Sequence, residues 1–114
     1  MDDLVQRLSE GNHPIIVGGP KSSLEDFRKR VEEIGYVFIK FTGTRGGTDL
    51  GVRVDKSASD LDQVDFEKAR GIVHLEGTLT LNYVKVRCIA NLDLATLSGN
   101  GYLVILEEAH PSAG

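Results

Sequence analysis

The chain has no tryptophan, one cysteine and three prolines, and aromatic residues make up 6% of its 114 positions. Stacking platforms for bases and cages for quaternary ammonium groups therefore lack most of their material. Cys88 stands alone, which excludes an intramolecular disulfide and points to a reducing compartment. No apolar run approaches the ~20 residues that a membrane helix needs. Met1-Asp2-Asp3 lacks the basic-then-apolar layout of a leader, so a cytoplasmic protein is expected. The net charge is −4, which gives no global attraction to nucleic acid or an anionic membrane.

What is present is ordinary for a globular chain, 40% apolar and 26% charged. The length fits one domain spanning residues 1–114 and is enough to bury a core. Asp2 to Glu10 reads as a short helix capped by Asp2 or Asp3, with Leu4, Val5 and Leu8 on one stripe. Ile15-Ile16-Val17 reads as a buried strand. Ser23 to Ile34 is the clearest helix: capping-box spacings precede it, Leu24, Phe27, Val31 and Ile34 share a face, and Gly35 ends it.

Tyr36 to Phe41 and Asp49 to Val54 alternate as the arms of a hairpin. Lys56 to Gln63 is polar and reads as a loop. Leu61, Val64 and Ala69 suggest one more helix face, with Ser59 as cap and Gly71 as stop. Beyond Gly71 the chain reads as strands. Apolar parity changes near Asn82-Tyr83-Val84, which requires a bulge or a turn. Ser98-Gly99-Asn100-Gly101 reads as the turn of another hairpin, and Glu107 to Gly114 as a fraying tail. The order predicts an α+β domain, a mostly antiparallel β-sheet with two to three helices packed on one face. The alternative is a small curved β-barrel built by the C-terminal strands, with N-terminal helices.

Three constellations carry possible chemistry. The tip Thr42-Gly43-Thr44-Arg45-Gly46-Gly47-Thr48 offers glycine backbone N–H groups, hydroxyls and a cation. Thr44, Arg45, Gly46, Gly47 and Thr48, with Arg53 beyond, are the candidate ligands for a small anion. Strands flank the tip on both sides and no Lys-Ser/Thr pair follows, so it is not a nucleotide-phosphate loop. Turn geometry alone also accounts for its glycines. Gly18-Gly19-Pro20-Lys21 before the Ser22-Ser23 helix start is a weaker anion candidate.

His74 and Glu76 lie two apart on one strand, about 7 Å apart along it, which suits an acid–base pair as well as a solvent-facing polar strand side. A third metal ligand is not visible nearby, so neither a metal nor a cofactor is expected. Lys40, Arg53, Lys85 and Arg87, with Tyr36 and Phe38, would form a basic stripe for single-stranded nucleic acid if their strands were neighbours. Cys88 alternates with Val86 and Ala90 and reads as core. His13 and His110, each before a proline, sit at element edges.

No catalytic signature is matched. The leading functional reading is a non-catalytic binding or accessory module, acting through protein contacts or a small anionic ligand. Self-association through open sheet edges is a natural form of it. The alternatives are a small enzyme using His74 and Glu76 in a sheet-lined pocket, and single-stranded nucleic-acid binding on the basic face.

Overall fold

The computed structural model describes residues 2–19 and 23–108, the last two by their backbone. Its elements are α1 (Asp3–Leu8), β1 (His13–Val17), α2 (Leu24–Lys29) continued by a π-helical turn (Arg30–Ile34), β2 (Tyr36–Phe41), β3 (Thr48–Val54), β4 (Ile72–Leu81), β5 (Val84–Asp93) and β6 (Ser98–Glu108). The six strands run in chain order and close into a barrel, every neighbour antiparallel.

Closure overturns the expectation of an open sheet with helices on one face. The step that closes the barrel is β1 on β6, from His13↔Gly101 to Ile16↔Ser98. Ser98 to Gly101, expected to be a turn, is therefore strand, held between β1 and β5. A Cβ at Gly99 would collide with the Asn91 carbonyl, so glycine is what lets the strands approach here. The turn falls earlier, at Leu94–Leu97. There the Asp93 carboxylate accepts the Ala95 N–H at 2.9 Å and the Asp93 carbonyl accepts the Leu97 N–H at 2.7 Å. Self-association through open sheet edges loses its basis with the open sheet, since a barrel removes most edges.

The third helix, around Leu61 to Ala69, does not form. Asp60 accepts the Asp62 N–H at 2.8 Å, and Asp65 accepts those of Glu67 and Lys68 at 3.0 and 3.1 Å. The bonds to Asp65 take the Glu67 and Lys68 N–H groups, which a continuing helix would give to the carbonyls of Gln63 and Val64. The parity change at Asn82-Tyr83 is a two-residue hairpin turn with φ of 49° and 68°.

The two helices stop the ends of the barrel. Asp2 caps α1 through the Val5 N–H and also accepts from Asn82 Nδ2 at 3.1 Å, in the β4–β5 turn. Val5 and Leu8 are buried there. At the other end, Ser23 caps α2 through the Asp26 N–H, and Phe27 and Val31 are buried. The π-turn, with the Gly35 N–H bonded to the Arg30 carbonyl at 2.7 Å, adds a residue to the last turn. That rotates Ile34 off the expected apolar face and leaves it 53% exposed. Between the helices the inward residues of all six strands fill the barrel, and among the described residues no polar side chain is buried.

Candidate functional site

Inward parity on β4 belongs to Val73 and Leu75, so His74 and Glu76 point out. On β5 it belongs to Val86, Cys88 and Ala90, so Arg87 and Asn91 point out too. Register sets His74 beside Asn91 and Arg87 beside Thr78. The result is a chain of polar side chains across the outer wall. His74 Nδ1 meets Asn91 Oδ1 at 2.9 Å, and Nε2 meets Glu76 Oε2 at 2.7 Å. Arg87 donates to Glu76 Oε1 and to Asp55 Oδ2, both at 2.9 Å. Ser57 donates to the other Asp55 oxygen at 2.6 Å.

The segment after β3 is strapped along β4 by the same cluster. The Asp55 N–H donates to the Glu76 carbonyl at 2.8 Å, the Glu76 N–H to Ser59 Oγ at 3.0 Å, and Asp60 and His74 exchange backbone bonds at 2.8 and 3.1 Å. Strand alternation in the sequence brings His74 and Glu76 to one face but does not bring in Asp55, Ser59, Arg87 or Asn91. The only available signal was that Arg87 has the opposite parity to Cys88.

Chemically, both ring nitrogens of His74 are occupied, and so are both carboxylate oxygens of Glu76. Neither residue lines the larger clefts. The bond to Glu76, then the one to Asn91, raises the His74 pKa above the ordinary imidazole range. His74, then Arg87, lowers that of Glu76. Ser57 and then Arg87 hold Asp55 down to about 2.

A histidine whose folded pKa is raised contributes stability below its unfolded pKa and loses it as pH rises through the folded value. The His74→Gln variant should therefore be less stable than the parent by about 0.5 kcal/mol at pH 5.5, a value typical of half-exposed pairs. Urea denaturation should show the difference shrinking towards pH 8. A difference independent of pH would show that the ring acts only by packing.

At the β2–β3 tip, Gly46 and Gly47 adopt φ of 75° and 77°, as the turn requires. Thr44 and Thr48 bond each other at 2.6 Å, Thr44 also donates to the Phe41 carbonyl at 3.3 Å, and the Gly47 N–H donates to the Thr44 carbonyl at 3.0 Å. These groups are occupied by the turn itself. Arg45 is exposed beside Asp3, Leu4 and Arg7 of α1 in a shallow cleft. Arg53 lies at the far end of β3, about 17 Å along the strand from Thr48, so the expected anion set is divided. Replacing Arg45 by Ala should leave stability within about 0.5 kcal/mol of the parent in thermal unfolding. A larger loss would mean that the tip braces α1.

The basic stripe is also dispersed. Arg87 is tied to two carboxylates, and Lys40 lies opposite Asp49. Phe38 has the Arg30 guanidinium over its ring at 4.9 Å. Arg53 and Lys85 remain together, lining a cleft of about 370 Å³ with Tyr36, Gly51, Thr78, Leu79 and Thr80. Cys88 is core, and burial pushes its thiol up to about 12. Among the described residues no group of three His, Cys, Asp or Glu is placed to hold a metal. No helix among them is long and apolar enough to cross a membrane. Gly19 donates its N–H to Asp49 at 3.0 Å, while Pro20, Lys21, Ser22, His110 and the tail beyond 108 lie outside the described residues. His13 bonds the Glu10 carbonyl at 2.8 Å.

A family model described as core binding factor beta subunit matches residues 18–113, more than four-fifths of the chain. The match begins where β1 ends and takes in every later strand. No curated protein matches the chain.

Proposed function

We propose that this chain, which belongs to the core binding factor beta subunit family, is a non-catalytic partner subunit that holds a transcription factor of the Runt-domain class. Proteins of this family act through protein contacts and do no chemistry of their own. The observation that carries the reading here is that the barrel is filled and stopped at both ends. Among the described residues it offers no lumen for a substrate, and its most conspicuous polar cluster is bonded within itself. The function is then left to the outer surface, which presents large apolar side chains such as Tyr83, 79% exposed, and Ile72, Val104 and Leu106. His74, Glu76 and Arg87 serve on this reading to fix the wall and the segment strapped to it. A transcription-factor partner places the pair in the cytoplasm or the nucleus.

The test is size-exclusion chromatography with light scattering on the purified chain mixed with a Runt-domain protein. The expected result is a one-to-one complex. Two separate peaks at micromolar concentrations of both proteins would overturn the proposal, and a mass equal to two copies of this chain would favour self-association instead.

A further inference from the structure

Although the barrel closes, one seam is barely stitched. β3 pairs with β4 only at Arg53↔Thr78 and Val54↔Gly77, whereas β2 accompanies β3 from Thr48 to Arg53. Thr48 to Val52 therefore has a strand on one side alone. Leu79 to Leu81 of β4 likewise pairs only with β5. The strands part above Arg53 and Thr78 and leave two facing edges.

The direction of the backbone groups follows from the pairing. The Phe38 carbonyl accepts the Gly18 N–H at 3.0 Å, so Phe38 turns its main chain towards β1. Its register partner Gly51 must then turn away from β2, into the split. On the other bank Glu76 turns its main chain towards Asp55 and Ser59. Alternation puts Thr78 and Thr80 on that same side. The position of a Gly51 side chain is taken by the Tyr36 hydroxyl, which lies over this bank, while the Gly51 main chain faces the split.

We propose that the split is a docking site for an extended acidic segment of a partner protein, which pairs its main chain with Gly51 or Thr80 and sets carboxylates against Arg53 and Lys85. The inference rests on the reading of this chain as a partner subunit. Strand addition to an open edge supplies affinity through the backbone, and flanking side chains select the sequence. Selection by charge follows from the lining. Arg53 is exposed and among the described residues enters no ion pair, and Lys85 is exposed on the other bank with Glu107 of β6 as its register partner, in a chain whose net charge is −4. The remaining lining is threonine, one tyrosine and one leucine, too polar for an apolar helix. Single-stranded RNA is disfavoured, because Tyr36 is the one aromatic residue in the cleft and Phe38 lies under Arg30.

The test is an NMR titration of the ¹⁵N-labelled full chain with two short synthetic peptides, one alternating valine with glutamate and the other valine with lysine. The acidic peptide should shift the amides of Gly51, Thr78 and Thr80, and the basic one should not. The double variant Arg53→Glu, Lys85→Glu should keep the parent spectrum away from the cleft and weaken the acidic peptide about tenfold. The proposal is overturned if those amides do not move, if affinity survives charge reversal, or if an oligouridylate moves them at lower concentration. Shifts at those amides on concentrating the chain alone would also overturn it, by assigning the edge to a second copy.

The double variant is then mixed with the Runt-domain protein. A complex formed equally well by parent and variant sinks the split as the docking site and leaves the partner-subunit reading standing. A complex lost only in the variant supports both. If the parent itself forms none, the partner-subunit reading fails, and the inference that rests on it fails with it.

Discussion

Gly77→Val is expected to cost about 3 kcal/mol or more, at the upper end of what overpacking imposes, because there is no room for the side chain and nothing nearby can yield. A Cβ at this position would run into the Arg53 carbonyl and approach Val52 Cγ1 to 2.6 Å. The carbonyl belongs to the backbone of β3, and Gly77 with Val54 is one of the two register pairs that join β3 to β4. The barrel thus depends on a glycine where its stitching is thinnest. The added side chain must either push β3 away or rotate β4, whose other side is paired along its whole length with β5.

Urea denaturation with amide exchange would measure the loss. Exchange should quicken first at Asp55, whose N–H bonds the Glu76 carbonyl of β4 where the strap begins. A cost below about 1 kcal/mol, the centre of the range for single substitutions, would mean that the strands are not in close contact there.

Phe27→Ala should cost about 3–5 kcal/mol, the range for removing a buried aromatic ring. Phe27 is fully buried, and the helix that carries it runs only from Leu24 to Lys29. A helix this short does not hold itself in water, so its place depends on the ring and on Val31 in the following π-turn. Loss of the ring leaves a cavity at the end of the barrel and removes what anchors α2. The variant should melt at lower temperature and lose protection in α2 before the strands. Phe27→Leu refills part of the space and should recover more than half of the loss. If Phe27→Ala were as stable as the parent, α2 would not be the stopper described above.

These substitutions also separate what can be read along the chain from what cannot. The hairpin Tyr36–Phe41 with Thr48–Val54 follows from alternation and from the glycines between, because both signals lie within a few residues of each other. The break at Asn82-Tyr83 follows from a parity change for the same reason. At Ser98–Gly101 the local signal and the fold disagree. Two glycines and an asparagine favour a turn locally, but Asp93 captures the turn four residues earlier, and the glycines are used where β1 and β5 crowd β6. The expected helix after Leu61 fails similarly: its apolar spacing is present, but Asp60 and Asp65 satisfy backbone donors in turns.

For the candidate site, strand alternation was enough to place His74 and Glu76 on one outward face. It could not supply Arg87 or Asp55, since a period of two says which way a side chain points and not which strand lies beside it. The same limit separated Arg45 from Arg53, which looked like one anion set in the sequence and sit at opposite ends of β3.

By itself the sequence determined the alternating sides of β2 to β5 and the capped starts of both helices, with Asp2 or Asp3 open for the first and Ser22 or Ser23 for the second. Each of these depends on residues within about one or two turns of one another. Only the tertiary structure decided that the sheet closes, that His13 meets Gly101, that Arg87 bridges Glu76 and Asp55, and that β3 and β4 part above Arg53. An open sheet with one buried face and a barrel with a filled interior carry the same alternation of apolar and polar residues. The difference between them lies in pairings between distant segments, which leave no period along the chain.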